Sequence, residues 1–286
     1  MEQTFFVAGG DARQEAIIHQ LKEAGRSVSA FGFQAADHLT PEIAAHLGAA
    51  DIILLPLPAA DSDNCLNAPS MEKRLPMEML WSLLHPQQKI FGGMLSEALL
   101  RSAAEYNLLP IDYYKREEFV LRNAYITAEG ALELTMDRLK RTVKGTNCLI
   151  LGYGRIGKFL ARLLLNLHAS VTVAARKGKD LVQAELDGCI PCPLRDLAGC
   201  LPRCDVLYNT IPHLILDQTL LPLVPKSCLC IDLASKPGGI DLRAAEQLEL
   251  ETIWALGLPG KVAPGSAGQA IVDTVLQILT EQEVSL

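Results

Sequence analysis

Residues 147–176 read NCLILGYGRIGKFLARLLLNLHASVTVAAR, and this stretch decides the fold. Residues 148–151 form an apolar run that reads as a buried strand. Gly152, Gly154 and Gly157 then follow at GxGxxG spacing around Arg155 and Ile156. Residues 158–167 have the period of a helix, and 170–175 read as the next strand. The glycine motif alone is weak, but between a strand and a helix it predicts a dinucleotide-binding turn. Gly152 makes the tight turn, Gly154 lets the backbone approach a pyrophosphate, and Gly157 permits close helix–strand packing. Backbone N–H groups and the helix dipole would hold the phosphates.

The end of the second strand selects among cofactors. An NAD-binding unit usually has Asp or Glu there to bind the ribose 2′-hydroxyl. This chain has Ala174-Ala175-Arg176-Lys177, with Lys179 close by. Arg176 and Lys177 suit a 2′-phosphate, and Arg176 can also stack on adenine. The expected cofactor is therefore NADP. Two later strand ends should face the same crevice. Asn209-Thr210-Ile211-Pro212 would contact ribose and pyrophosphate. The segment from Asp232 through Ala234 to Ser235, and Gly257-Leu258-Pro259, would lie near the nicotinamide.

Outward from this unit, strands and helices alternate in both directions. Apolar strands are expected at 4–9, 27–33, 51–58, 89–93 and 109–114, with helices at 11–25, 41–49, 76–84 and 96–107. Further strands are expected at 205–212, 227–235 and 251–260, and a last helix at 266–279. Regular alternation implies parallel sheets with helices on both faces. The expected fold is α/β: two doubly wound parallel-sheet domains, the second a Rossmann NADP-binding domain, joined by long helices. The expected boundaries are 1–124 for a flavodoxin-like substrate domain and 125–265 for a linking helix and cofactor domain. Helix 266–286 should return to pack near the junction.

Other residues carry candidate chemistry. Thr127 and Glu129 sit near the start of a helix read over 125–142, where they either face the crevice or cap the helix. Gly9-Gly10-Asp11-Ala12-Arg13 is a strand-to-helix turn that would hold a substrate carboxylate through helix N–H groups and Arg13, or simply be capped by Asp11. Gly92-Gly93-Met94 offers a similar turn. Lys236, in the glycine-rich turn after a strand end, is the first candidate to hold an anionic substrate. His213 is either a proton carrier or a histidine at a helix start. No Ser-His-Asp arrangement and no metal cluster is evident.

Composition narrows the function classes. The chain has 286 residues, 49% hydrophobic content and a formal charge of −7. Lys and Arg are scattered, with no basic stripe for nucleic acid. No apolar run approaches the roughly 20 residues of a membrane span, and MEQTFFVAGGDARQ lacks signal-peptide features. A cytoplasmic protein is expected. The eight cysteines include a CxxC at Cys189 and Cys192. Pro191 and Pro193 bracket Cys192 in an expected loop, and no His stands at ligand spacing. Reduced thiols are therefore favoured over a zinc or redox site.

Several blocks together resemble a known family. GGDAR (9–13), TAEG (127–130), LGYGRIG (151–157), NTIP (209–212), IDLASKPGG (231–239) and GLPGKVAP (257–264) span almost the whole chain. In that order they resemble the family of the bacterial dipicolinate synthase A subunit. The resemblance implies a two-domain NADP-binding oxidoreductase, its cofactor domain similar to those of 2-hydroxyacid dehydrogenases and adenosylhomocysteine hydrolase. It implies oxidation of a dihydrodipicolinate, formed from 4-hydroxy-tetrahydrodipicolinate, to dipicolinate. It further implies a small dicarboxylate substrate, a flavoprotein-like B subunit as partner, a homo-oligomer, and the mother cell of a sporulating bacterium. The chain departs from the family pattern at Gly265-Ser266, where the family has Lys-Thr, and at His213, where it has a small apolar residue. Two other readings stand beside it: a shikimate-dehydrogenase-like enzyme, which would need a Lys–Asp pair in the first domain, and a non-catalytic nucleotide-binding subunit.

Overall fold

Two parallel sheets organise the chain. The computed structural model describes residues 3–284. One compact unit comprises the residues up to Arg122 and those from Ala263 on; the other runs from Asn123 to Val262.

Unit 1 contains β1 (Thr4–Ala8), α1 (Ala12–Glu23), β2 (Ser27–Phe31), α2 (Pro41–Ala49), β3 (Ile52–Leu54), α3 (Met77–Trp81), β4 (Lys89–Gly92), α4 (Glu97–Glu105) and β5 (Ile111–Asp112). Its five strands lie in the order β2-β1-β3-β4-β5, all parallel. This is a doubly wound order whose switch point falls between β1 and β3. Side chains alternate strictly across it. Phe5 and Val7 of β1 join one core, with Ile52, Leu54 and Phe91. Phe6 and Ala8 join the other, with Ile53, Leu55 and Ile90. Both faces are covered, which is why these strands read as continuous apolar runs.

The helix α5 (Glu117–Arg138) carries the chain from unit 1 into unit 2. It starts ten residues before Thr127, so the expected start near 125 is corrected. Glu117 and Glu118 supply the acidic first turn. The Thr127 hydroxyl is turned inward and donates to the carbonyl of Asn123, 2.7 Å away. That is the way a mid-helix threonine satisfies itself, and it leaves no cap to signal.

Unit 2 contains β6 (Asn147–Leu151), α6 (Arg155–Asn166), β7 (Ser170–Ala175), α7 (Gly178–Leu186), β8 (Ile190–Pro193), β9 (Val206–Asn209), β10 (Leu229–Asp232), α8 (Leu242–Gln247), β11 (Thr252–Trp254) and α9 (Leu258–Val262). The six strands are ordered β11-β10-β9-β6-β7-β8, again all parallel. This is the Rossmann order, with its switch point between β6 and β9. Cys148 and Ile150 pack in one core with Val171, Val173 and Tyr208. Leu149 and Leu151 pack in the other with Ala174, Cys192 and Leu207.

The segment Ile190–Pro193 is a strand rather than the expected loop. It lies at the sheet edge, where a proline loses no ladder hydrogen bond. The Gly130 of TAEG is a packing residue. A β-carbon there would stand 2.9 Å from Val262 and 3.2 Å from Leu258, so α9 is seated directly on α5. The last helix, α10 (Pro264–Val284), belongs to unit 1, where a β-carbon at Gly268 would meet the Arg13 carbonyl at 2.8 Å. Gln20 of α1 also donates to the Gly265 carbonyl at 2.9 Å. Among the described residues no helix is long and apolar enough to cross a membrane.

Candidate dinucleotide site

The site is built at the switch point of unit 2. Gly152 leaves β6 with φ +92°, and its N–H donates to the Ala174 carbonyl of β7 at 2.9 Å. The NTIP segment closes over it. A β-carbon at Gly152 would lie 2.6 Å from the Thr210 hydroxyl and 2.9 Å from Ile211. Thr210 is pinned there by its side chain, which donates to the Leu151 carbonyl at 2.8 Å. Gly157 sits in the first turn of α6, where a β-carbon would meet the Gly152 carbonyl oxygen at 2.4 Å. Any larger residue would push the helix off the strand.

Gly154 is the N-cap of α6, and no side chain caps that helix. A β-carbon at Gly154 would meet nothing within 4 Å. The helix therefore presents first-turn N–H groups and open space together, with Arg155 and Ile156 in that turn. This arrangement fits a pyrophosphate.

At the end of β7, Ala174 and Ala175 are buried and Arg176 and Lys177 are exposed. Lys177 is the N-cap of α7, again with no side-chain cap. No carboxylate stands at this strand end between Ala174 and Lys179. This helix start, with Arg176 and Lys177 before it and Asp180 in its first turn, lies where the 2′-phosphate is expected from the sequence.

Across the switch point, Asp232 at the end of β10 is turned inward. Its carboxylate accepts from Asn209 Nδ2 at 2.7 Å, Ala234 N–H at 3.0 Å, Gly239 N–H at 2.7 Å and Ile240 N–H at 3.2 Å. It is 1% exposed. Asp232 thus shapes the 233–240 loop from below instead of meeting the cofactor directly. Trp254 Nε1 donates to the Ala234 carbonyl at 3.0 Å and supports the same loop. Ser235, Lys236 and Pro237 are its exposed crest. Asn209 acts in the same network. Its Nδ2 reaches the Ile211 carbonyl at 3.0 Å and its Oδ1 accepts from Ile211 N–H at 3.1 Å. Sequence reasoning missed Asn209 as a structural residue, although a polar side chain ending an apolar strand was the available signal.

The remaining candidates fall elsewhere. Pro212 and His213 are exposed in a bend, and no helix starts there, so the helix-start alternative for His213 is corrected. Gly257 is exposed, whereas Leu258 and Pro259 are buried in the first turn of α9; their side chains pack inward. Glu129 is exposed in mid-helix. Its charge and hydrogen bond push the Tyr125 phenol up. Thr127 and Glu129 therefore do not mark a helix N-terminus, which removes the dipole argument for a carboxylate there.

In unit 1, the turns expected to accept an anion through N–H groups are already filled. Asp11 accepts from Arg13 N–H at 3.0 Å, and the Gln14 side chain closes the capping box on α1. Gly10 N–H donates to the Asn67 carbonyl at 2.7 Å. Beyond Gly93, the Asp112 carboxylate accepts from Met94 N–H at 3.1 Å and Leu95 N–H at 3.0 Å. Arg13 is the exception. Its guanidinium spends Nε and Nη2 on Asp11 and on the Leu57 carbonyl, and these bonds leave Nη1 over. It lies at the β1–β3 switch point and is 7% exposed. Burial works to raise the Asp11 pKa, but the Arg13 hydrogen bond and charge prevail and hold it low.

Among the described residues no group of His, Cys, Asp or Glu is arranged to hold a metal ion.

Comparison with known proteins agrees with this architecture. The family model for the N-terminal domain of the dipicolinate synthase A subunit matches residues 4–114. The chain is 31% identical, over 282 residues, to the dipicolinate synthase A subunit of Bacillus subtilis (strain 168), covering 96% of this chain and 95% of that protein. The crystal structure of the dipicolinate synthase A subunit from Bacillus halodurans superposes with a TM-score of 0.85 at 29% identity, covering 98% of both chains. A transhydrogenase from Sinorhizobium meliloti shares the fold at a TM-score of 0.71 and 14% identity, covering 98% of this chain and 94% of that one. Residue blocks, sheet order and whole-length likeness converge: the chain belongs to the family of the dipicolinate synthase A subunit.

Proposed function

We propose that the chain is an NADP-dependent oxidoreductase that oxidises a dihydrodipicolinate, formed from 4-hydroxy-tetrahydrodipicolinate, to dipicolinate. The observation that carries the cofactor reading is the pair of uncapped helix starts at Gly154 and Lys177, with Arg176 beside the second. The substrate reading rests on family membership.

NADP⁺, when bound, supplies a hydride acceptor. The chain's residues do the positioning. First-turn N–H groups of α6 hold the pyrophosphate. Arg176 and Lys177 hold the 2′-phosphate by charge-assisted hydrogen bonds. Thr210 and Ile211 wall the turn, Asp232 and Asn209 fix the loop that carries Lys236, and Lys236 offers a cation for a ring carboxylate. Within unit 1, Gly10, Asp11, Arg13 and Gly93 are the candidate carboxylate-binding residues, and the bonds of Arg13 to Asp11 and Leu57 leave its Nη1 over. His213 is the candidate for proton movement, being exposed and close in sequence to Ile211. Aromatisation drives the oxidation, so holding the ring in place is the protein's main task. A flavoprotein-like B subunit is the expected partner, in a sporulating cell's cytoplasm.

The test gives purified protein the hydroxy-tetrahydrodipicolinate precursor and NADP⁺, with and without that partner, and follows dipicolinate absorbance and NADPH. Dipicolinate and NADPH rising together support the reading. No product in either case defeats it, and product without NADPH would assign the chain a nucleotide-binding role only.

A further inference from the structure

All eight cysteines are free thiols, and two of them are placed far closer than thiols ordinarily rest. Cys192 Sγ, in the edge strand β8, lies 2.7 Å from Cys200 Sγ, at the end of the 3₁₀ turn Leu194–Gly199. A second pair in the same core, Cys204 and Cys228, keeps an ordinary contact of 3.6 Å. A disulfide needs sulfurs roughly 2.05 Å apart, so the first pair needs only about 0.7 Å of approach. Access separates the two pairs as well. Cys192, Cys204 and Cys228 are buried, whereas Cys200 is half-buried. Cys192, Cys200 and Cys204 line an open cavity of about 360 Å³ together with Pro191, Asp196 and Arg203.

We propose that Cys192 and Cys200 form an intrachain disulfide when the protein meets a peroxide. The Cys200 thiolate attacks one peroxide oxygen. The O–O bond breaks, hydroxide leaves, and Cys200 becomes a sulfenic acid. The Cys192 sulfur then attacks the sulfenic sulfur, the S–O bond breaks, and the departing hydroxide takes the Cys192 proton as water. Two thiols and one hydrogen peroxide give one disulfide and two waters. Arg203 and Asp196 line the same cavity, one cation and one anion. Cys192 is buried and Cys200 half-buried, which leaves the first attack to Cys200. The bond would tie β8 to the turn that follows it.

The experiment uses the full chain, reduced and freed of reductant, then treated with a small excess of hydrogen peroxide and alkylated. The expected product is two hydrogens lighter and has two fewer alkylatable cysteines than the reduced chain's eight. After trypsin, peptide 180–195 should be joined to peptide 196–203, with fragment ions placing the bond on Cys192 and not Cys189. Dithiothreitol should restore both thiols, and Cys200→Ser should remove the cross-link. Oxidation of Cys200 to sulfinic acid with Cys192 still alkylatable would overturn the proposal. So would a bond that forms at the same rate in Cys200→Ser, or one found between Cys204 and Cys228 instead.

Discussion

In unit 1 the first strand enters its helix through Gly9-Gly10-Asp11; in unit 2 the equivalent strand enters its helix through Gly152-Tyr153-Gly154. Both turns lie at the switch point of a doubly wound parallel sheet. The first supplies its own carboxylate, since Asp11 bonds the helix start. The second leaves the helix start without a side-chain cap. The contrast repeats one strand over. After β2, the Asp37 carboxylate accepts from the N–H groups of Gly32, Phe33 and Gln34. After β7 the helix start is uncapped and flanked by Arg176 and Lys177. One topology thus serves two ends. Unit 1 fills its anion-accepting turns from within and gains stability there. Unit 2 leaves its turns without side-chain caps, as the proposed binding of a nucleotide with two separate phosphate groups requires.

The comparison can be broken by making one turn resemble the other. Gly154→Asp gives α6 the carboxylate that α1 has. Titration with NADP⁺ should show a loss of at least about 100-fold, or about 2.8 kcal/mol. Thermal unfolding should hold level or improve, since an N-cap is worth about 1 kcal/mol. Unchanged NADP⁺ affinity would remove the pyrophosphate from this turn.

Asp11→Ala makes the opposite change. It removes a cap and one partner of a buried guanidinium, so denaturant unfolding should show a loss of about 2 kcal/mol. The pH dependence has a defined sign. The folded pKa of Asp11 is held low, so its contribution is complete above the unfolded value of about 3.9 and is lost as pH falls through and below it. The variant should therefore show a shallower loss of stability on acidification in that range. An identical acid profile would mean that Asp11 is not the carboxylate responsible.

Arg176→Ala sharpens the second half of the contrast. It should weaken NADP⁺ binding about tenfold, near 1.4 kcal/mol, and leave NAD⁺ affinity nearly unchanged. Equal losses for both nucleotides would place Arg176 on the shared part of the molecule and not on the 2′-phosphate. The smallest effect belongs to the buried bond between Thr135 and the Tyr208 hydroxyl, 2.7 Å apart. Thr135→Val should cost about 1 kcal/mol in unfolding without altering nucleotide affinity. A comparable drop in affinity would show that α5 and the site are coupled.

The open turn was the legible one. Gly152 and Gly157 announce themselves because a close approach excludes any side chain there, while at Gly154 the space beside the helix start stays open. The parallel, doubly wound character of both sheets followed from the alternation of strands and helices. The filled turns were harder to read, because their closing groups come from far along the chain: Asp112 bonds Met94 and Leu95, and Asn67 bonds Gly10. Asp232 misled for a related reason. A carboxylate at a strand end looks available to a ligand, but here four donors, three of them beyond its own strand, have turned it inward. Thr127 resembled a cap because it stands with Glu129 near the expected helix start, while the helix had already begun at Glu117. The strand Ile190–Pro193 was hidden by its prolines, which only an edge position tolerates.

The most direct measurement is calorimetric titration of the full chain with NADP⁺ and, separately, with NAD⁺. One NADP⁺ should bind per chain, at least about tenfold tighter than NAD⁺, a difference of about 1.4 kcal/mol. No binding of either nucleotide, or tighter binding of NAD⁺, would contradict the account.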